Sequence, residues 1–430
     1  MNNKKGFILS TYVYMLLVFF LLLLTTMLTV MNNSKLLSNK LKEQSSNTSG
    51  LTDKDYSFIL LGESDMIIRK GEEYIEPGFK IQTVKGVDLS DIVSITGNVD
   101  VNLPNTYKLT YSATYNGITK RLTRNVTVLD NTASNYIAGL YKHKKDENNL
   151  INPKAAYNNI EYDTGIRYSG ADPNNYVYFN CDDKDSNNIN YGEDNYNYKN
   201  SCETWRIIGV FDVDNGEGNI EKRVKLVRSK LLTDTQYWDT NDDVLANQWG
   251  ETTLIDGVTT YDGATLMQYL NNEFYNDFGV NMKSFFSESL WYTGGISFEN
   301  DTVLRVSASY NYERGGLYGI SSSLIYTTKW IGKIGLIYPS DYGYANPKCD
   351  NLLNVSCGEK NWLNIEAAYW TITHDINTDA NTLDVYTNGR IYGNGCGYRS
   401  YGVNPSLYLK SSIKITSGDG TQESPYKLSI

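Results

Sequence analysis

Histidine is nearly absent: His143 and His374 are the only two in 430 residues. A serine triad, a His-based metal site and most general-base chemistry draw on that residue, so few places remain for them. GxSxG, HExxH and phosphate-cradling Gly-rich patterns are missing, which removes the commonest hydrolase, metalloprotease and NTPase readings. Proline is scarce at 8, and Phe at 12 stands against 36 Tyr. Positive charge is short as well. The net charge of −10 comes from the carboxyl-terminal part, since residues 1–50 carry +4 and residues 51–130 carry −2. An acidic chain of this kind gives no basic face for phosphates, so a nucleic-acid partner is not expected.

Cysteine is limited to five, all after residue 180. Cys181 and Cys202 bracket a polar loop, and Cys349 and Cys357 bracket a shorter one. Local pairs around polar loops predict two disulfides and an oxidising compartment. Zinc needs paired CxxC or Cys/His spacing, which does not occur. The first bridge would stabilise by roughly 3 kcal/mol through loop entropy. Cys396 is left over.

One long apolar run is present. From Gly6 to Val30 no side chain is charged, and Lys4 and Lys5 stand before it. A secretory signal has a core of ~7–15 residues and a small-x-small cleavage site. This run is longer and offers no such site, while ~20 apolar residues already cross a bilayer as helix. A single-pass anchor is expected, with the remainder outside the cell. The KKGF stretch resembles the processing site of bacterial type IV prepilins and pseudopilins. That resemblance implies cleavage after Gly6, a methylated Phe7 and pilin-like partner subunits. The family usually has Glu five residues after the cut, where this chain has Thr11.

Period-two alternation marks the next segment. In YKLTYSAT, Tyr107, Leu109, Tyr111 and Ala113 share one face, and RLTRNVTV at 121–128 behaves similarly. Asn116-Gly117 between them suits a hairpin turn. The stretches GEEYIEPGFK, GNVDVNLPNTYKLTYSAT and RNVTVLD resemble the bacterial Ig-like domain also found in pesticidal crystal proteins. The resemblance covers residues 56–130 and implies an all-β sandwich acting as a rigid spacer without catalytic residues. Glu72, Glu76 and Asp88 read as solvated turn charges.

The expected plan is multidomain: a prepilin-like transmembrane α-helix at 1–33, a juxtamembrane linker at 34–55, the Ig-like domain at 56–130, a linker at 131–155 containing the polar KHKKDENNLINP stretch, and an α+β domain at 156–430. In the last, CETWRIIGVFDV and EKRVKLVRS read as two strands of a hairpin. Leu266, Leu270 and Phe274 form one helical stripe, and MKSFFSESLWY reads as a second short helix. KIGLIYP, TLDVYT and PSLYLKSSIKIT read as strands. WRIIGVF, GKIGLIYPSDYGYA and YGVNPSLYLKSSIKITSGDGTQESPY resemble segments of large exported proteins of Firmicutes and Mollicutes. YWTIT with GVNPSLYL also resembles the end of C-type-lectin-like domains, where Asn404 replaces the usual Arg.

Function then points to binding. Arg390–Tyr401, RIYGNGCGYRSY, offers Arg390, Tyr392, Tyr398, Arg399 and Tyr401, with Trp370 from YWTIT beside them in the expected ligand set. Rigid aromatics supply area while Gly and Ser let a loop adapt. Expected partners are an extracellular glycan, a peptide or a surface protein. Alternatives are a minor pilin or pseudopilin, and a surface hydrolase or transpeptidase in which Cys396, His374 and Arg399 would act. That residue order resembles sortases, but their TLxTC strand is absent. No catalytic residue, metal or cofactor is expected. Asp183–Asn187 and Asp375–Asp379 match half a calcium loop, and side-chain-capped turns explain both equally.

Overall fold

A computed structural model of the chain describes residues 55–157, 160–240, 248–250, 252–253, 260–297, 304–314, 329–378 and 380–430. The apolar run at 6–30, including Gly6 and Phe7, lies outside them. Among the described residues no helix is long and apolar enough to cross a membrane. The chain gathers into two compact units. The first takes residues up to 66, 73–100 and 106–127, and the second takes 67–72, 101–105 and everything from 128 onward.

The first unit is all strand apart from one short 3-10 turn. Asn105–Tyr115 and Ile118–Leu129 form its long hairpin, joined by Asn116 and Gly117 at φ of 49° and 83°. The predicted alternation holds: Leu109, Tyr111 and Ala113 are buried, and Tyr107 is half-buried. A four-stranded sheet runs Asp65–Arg69, Ile118–Leu129, Asn105–Tyr115, Ser94–Thr96, and Tyr56–Leu60 pairs antiparallel with Phe79–Thr83 in a second sheet. Tyr56, Phe58 and Ile81 from the second sheet complete the core.

The second unit is built on a seven-stranded antiparallel sheet. Its order is Ile334–Gly335, Ser406–Tyr408, Ile220–Arg228, Cys202–Asp214, Ile166–Tyr168, Leu150–Ile151, with Tyr176–Cys181 also pairing on Cys202–Asp214. The central hairpin is the one expected from CETWRIIGVFDV and EKRVKLVRS. Its register shifts between Ile207 and Gly209, a β-bulge. Gly209 is required there, because a Cβ would stand 2.1 Å from the carbonyl oxygen of Ile166. Both expected disulfides are present, Cys181–Cys202 and Cys349–Cys357.

Four expectations need correction. The stretch 131–155 is not a linker: Ala133–Lys144 is a helix whose Ala133, Tyr136, Ile137 and Leu140 are buried, spaced as one helical face, and Leu150–Ile151 joins the main sheet. The polar residues of KHKKDENNL supply its exposed end and the turn behind it, which masked the apolar stripe upstream. MKSFFSESLWY is a helix only over Val280–Lys283, and Ser289–Tyr292 is a strand paired with Lys329–Gly332. KIGLIYP contributes just Ile334–Gly335, because Pro339 starts a helix to Tyr344. Helices beyond the two expected also occur, among them Val306–Glu313. The Leu266, Leu270, Phe274 stripe is buried as expected, with a π-helical turn over Leu270–Phe274.

Candidate binding cleft

The sheet of the second unit brings together residues far apart in sequence. The loop Asp163–Ile166 enters the sheet beside Val210–Asp214, because Ile166 pairs with Val210. Tyr408 arrives opposite Lys225. The helix Val306–Glu313 presents Tyr310 and Asn311, and Arg314 follows at its C-cap. Between these elements lies a cleft of about 510 Å3, lined among others by Asp163, Phe211, Tyr292, Tyr310, Asn311 and Arg314. Its size falls inside the ~300–1,000 Å3 range of small-molecule sites.

Charge at the cleft is already engaged. The Arg314 guanidinium stacks 3.5 Å from the Tyr310 ring centroid and pairs with Glu313 at 3.4 Å. Asp163 accepts from Lys154 Nζ at 3.0 Å and from the Gly165 N–H at 2.9 Å. Asp212 pairs with Lys222 at 2.9 Å, and Asp214 caps the N–H groups of Gly216 and Gly218. Two lining amides are unbalanced. Nδ2 of Asn311, a residue only 8% exposed, and Oδ1 of Asn152 are buried without a hydrogen-bond partner among the described residues. Each orphan of this kind costs ~1–3 kcal/mol.

Behind the cleft sits a buried ionic network. Asp341 accepts from Arg167 at 2.6 Å, from Lys225 at 2.7 Å and from the Tyr338 N–H at 3.0 Å. Burial alone would raise its pKa, but the Lys225 and Arg167 cations hold the carboxyl well below the usual carboxylate range. Burial pulls Lys225 down to about 8 despite Asp341. Lys225 Nζ also lies 4.1 Å from the Tyr338 ring centroid, and the Arg167 guanidinium lies 4.6 Å from Phe211. Glu313 is fully buried and accepts from the N–H and hydroxyl of Ser340; burial pushes its pKa up to about 7. Phe211 and Arg314 therefore join the cleft wall to this rigid floor.

The residues chosen from sequence lie elsewhere and do not form one pocket. Trp370 is fully buried, and its indole N–H donates to the Gln236 carbonyl at 2.8 Å, so it is a core residue rather than a ligand contact. Tyr401 packs on it at 4.8 Å between ring centroids. Arg390 lies over Tyr392 at 4.8 Å, both half-buried, while Tyr398 and Arg399 face solvent. Ile391–Gly395 is a strand of the three-stranded sheet with Tyr369–His374 and Asn381–Val385. Beside Tyr392 in that register, burial raises Asp384 to about 7 while Asn394 donates to it at 2.7 Å. His374 is not a loop residue. It ends a fully buried strand, and burial lowers it to about 4. Cys396 is buried and in neither disulfide.

Both half-calcium loops are turns. Asp185 accepts from the N–H groups of Asn187 and Ile189, and Asp183 from those of Val280 and Asn281. Asp375 accepts from the Asn377 N–H, and Asp379 lies outside the described residues. The cleft residues went unseen in the sequence because sheet pairing alone joins positions 152–165, 210–222, 290–314 and 408. NYERGG, at the end of a helix with no clear stripe, was the one local cue.

The first unit has a signature of its own. Arg124 is fully buried; it donates to the carbonyls of Leu61 and Gly78 at 2.7 and 3.0 Å, and to Tyr111 Oη at 3.3 Å. Glu76 meets it at 3.1 Å, so this acid is a partner of a buried cation and not a solvated turn charge. Residues 58–128 match the family of the bacterial surface protein Ig-like domain. The Ig-like domain thus places Glu76 of GEEYIEPGFK against Arg124 of RNVTVLD, uniting two of the stretches that carried the resemblance. No curated protein matches the chain. Two solved structures are similar in part. The lipoprotein BT2262 from Bacteroides thetaiotaomicron shares 18% identity over 40% of this chain and 93% of its own, at a TM-score of 0.18. The CBM51-2 and INT domains of ZmpB from Clostridium perfringens share 10% over 38% of this chain and 28% of theirs, at 0.14. TM-scores this low carry no weight for the fold or function of this chain.

Proposed function

We propose that the chain is a bacterial cell-surface protein, held at the membrane by its amino-terminal apolar run, whose Ig-like domain acts as a spacer for a carboxyl-terminal binding domain. One observation carries this reading: a bacterial surface Ig-like domain shares its chain with a second unit holding two disulfides, Cys181–Cys202 and Cys349–Cys357. Disulfides persist outside the reducing cytosol. The cleft of the second unit supports a binding role, since its polar groups converge in a concave wall over a rigid charged floor. Its ligand is extracellular: a glycan, a peptide or another surface protein.

Protease treatment of intact cells expressing the full chain tests the placement. Peptides from 131–430 should be released before lysis, and their appearance only after lysis would end the reading. KKGF favours a second reading, a minor pilin or pseudopilin. There, mass spectrometry should find the first six residues missing and Phe7 methylated. An intact Met1 excludes it.

A further inference from the structure

We propose that the cleft between the Asp163–Ile166 loop and the Val306–Glu313 helix binds an uncharged carbohydrate. This rests on the binding reading above and assigns its ligand class. The cleft wall offers an unused donor, Asn311 Nδ2, and an unused acceptor, Asn152 Oδ1. A sugar hydroxyl both donates and accepts, so a polyhydroxylated ligand can satisfy both with one kind of group. Recovering the hydrogen bonds of buried, unpaired groups is what makes such a site selective.

Charge argues for neutrality. The five charged side chains on the wall are Asp163, Asp212, Asp214, Lys222 and Arg314. Each has an intramolecular partner: Lys154, Lys222, the Gly216 and Gly218 N–H groups, Asp212 and Glu313 respectively. An anionic or cationic ligand would have to break one of these pairs, whereas a neutral sugar leaves them intact. The remaining wall is apolar or aromatic, with Phe211, Leu290, Tyr292, Tyr310 and Tyr408. Such carbon surfaces suit the C–H faces of a pyranose, and the phenol groups add hydrogen-bonding ends.

The experiment uses the full-length chain, purified in a sugar-free detergent, on an array of neutral and sialylated glycans and lysine-rich peptides. Titration calorimetry follows with cellobiose, maltose, lactose and diacetylchitobiose. At least one neutral glycan should bind. Asn311→Leu should weaken it about tenfold, because one ligand hydrogen bond is lost. Asn152→Ala, on the opposite wall, should weaken it similarly and serves if Asn311→Leu fails to fold. Tyr398→Ala, in the exposed segment, should leave it unchanged. Binding confined to charged probes, silence across all neutral glycans, or a neutral glycan indifferent to both Asn variants overturns the proposal. Protease-released 131–430 peptides alongside such silence would refute the ligand class while leaving the surface placement standing.

Discussion

Replacing Asp341 tests whether the buried network behind the cleft holds the second unit together. Asp341 is one carboxylate serving two cations, Arg167 and Lys225, with all three side chains almost completely buried. In Asp341→Asn, one oxygen becomes an NH2 donor that must face a buried cation, and the counter-charge disappears. Removing one partner of a buried pair costs ~3–5 kcal/mol, since the remaining charge stays desolvated. For a unit of this size each kcal/mol moves Tm by about 2 °C, so the variant should melt roughly 6–10 °C lower. Calorimetry on the full chain reads this as a shift in the transition of the second unit. Asp212→Asn is the internal control. It breaks the Lys222 pair at a similar 2.9 Å, but both side chains are over 60% exposed, and its effect should stay below about 1 kcal/mol. If the two variants shift Tm equally, burial does not set the strength of this network and the reasoning fails.

Other outcomes follow from the same structure. Glu313 is raised to about 7 when folded against an ordinary 4.5, so the folded state holds its proton longer. Stability from this group is present below about pH 4.5 and is lost as pH rises through 7; Glu313→Gln should flatten that decline in denaturant titrations. His374 acts in the opposite sense: lowered to about 4, it stabilises above about pH 6.5 and loses that contribution as pH falls through 4. Acid unfolding should therefore shift to lower pH in His374→Gln if the variant folds. Reduction of the Cys181–Cys202 bridge, whose residues are 21 apart, should cost ~3 kcal/mol by chemical denaturation, and the shorter Cys349–Cys357 loop should cost less. Cys396 is buried, so a polar thiol reagent should label it only after unfolding; native labelling would reopen the enzyme reading.

Local patterns were legible in the sequence and distant pairings were not. The alternation through Tyr107–Ala113, the Asn116-Gly117 turn and the Cys181/Cys202 and Cys349/Cys357 pairs each lie within a short window, and each appears in the structure. The helix Ala133–Lys144 failed differently. Its stripe of Ala133, Tyr136, Ile137 and Leu140 was present but merged into a polar stretch that dominated the reading. Arg390–Tyr401 misled because composition marks residues suited to recognition without saying which are buried; Trp370 and Tyr401 pack on each other. Asn152, Asn311 and Arg314 become neighbours only through sheet register and a helix crossing, for which a single sequence holds no signal.

The bridge at Cys181–Cys202 has a further consequence. These two residues face each other in the strand pairing, so the bond closes the mouth of the excursion that leaves one strand and returns to its neighbour. Inside it, Tyr191, Tyr196 and Tyr198 pack edge to face, and the Tyr191 hydroxyl reaches the Leu428 carbonyl at 2.7 Å. The segment is thus a self-contained cassette riveted at its base. A single proteolytic nick within it would leave two fragments joined as one molecule until a reductant arrives. Evolution could exchange the whole insert between the two cysteines while the sheet beneath kept its register.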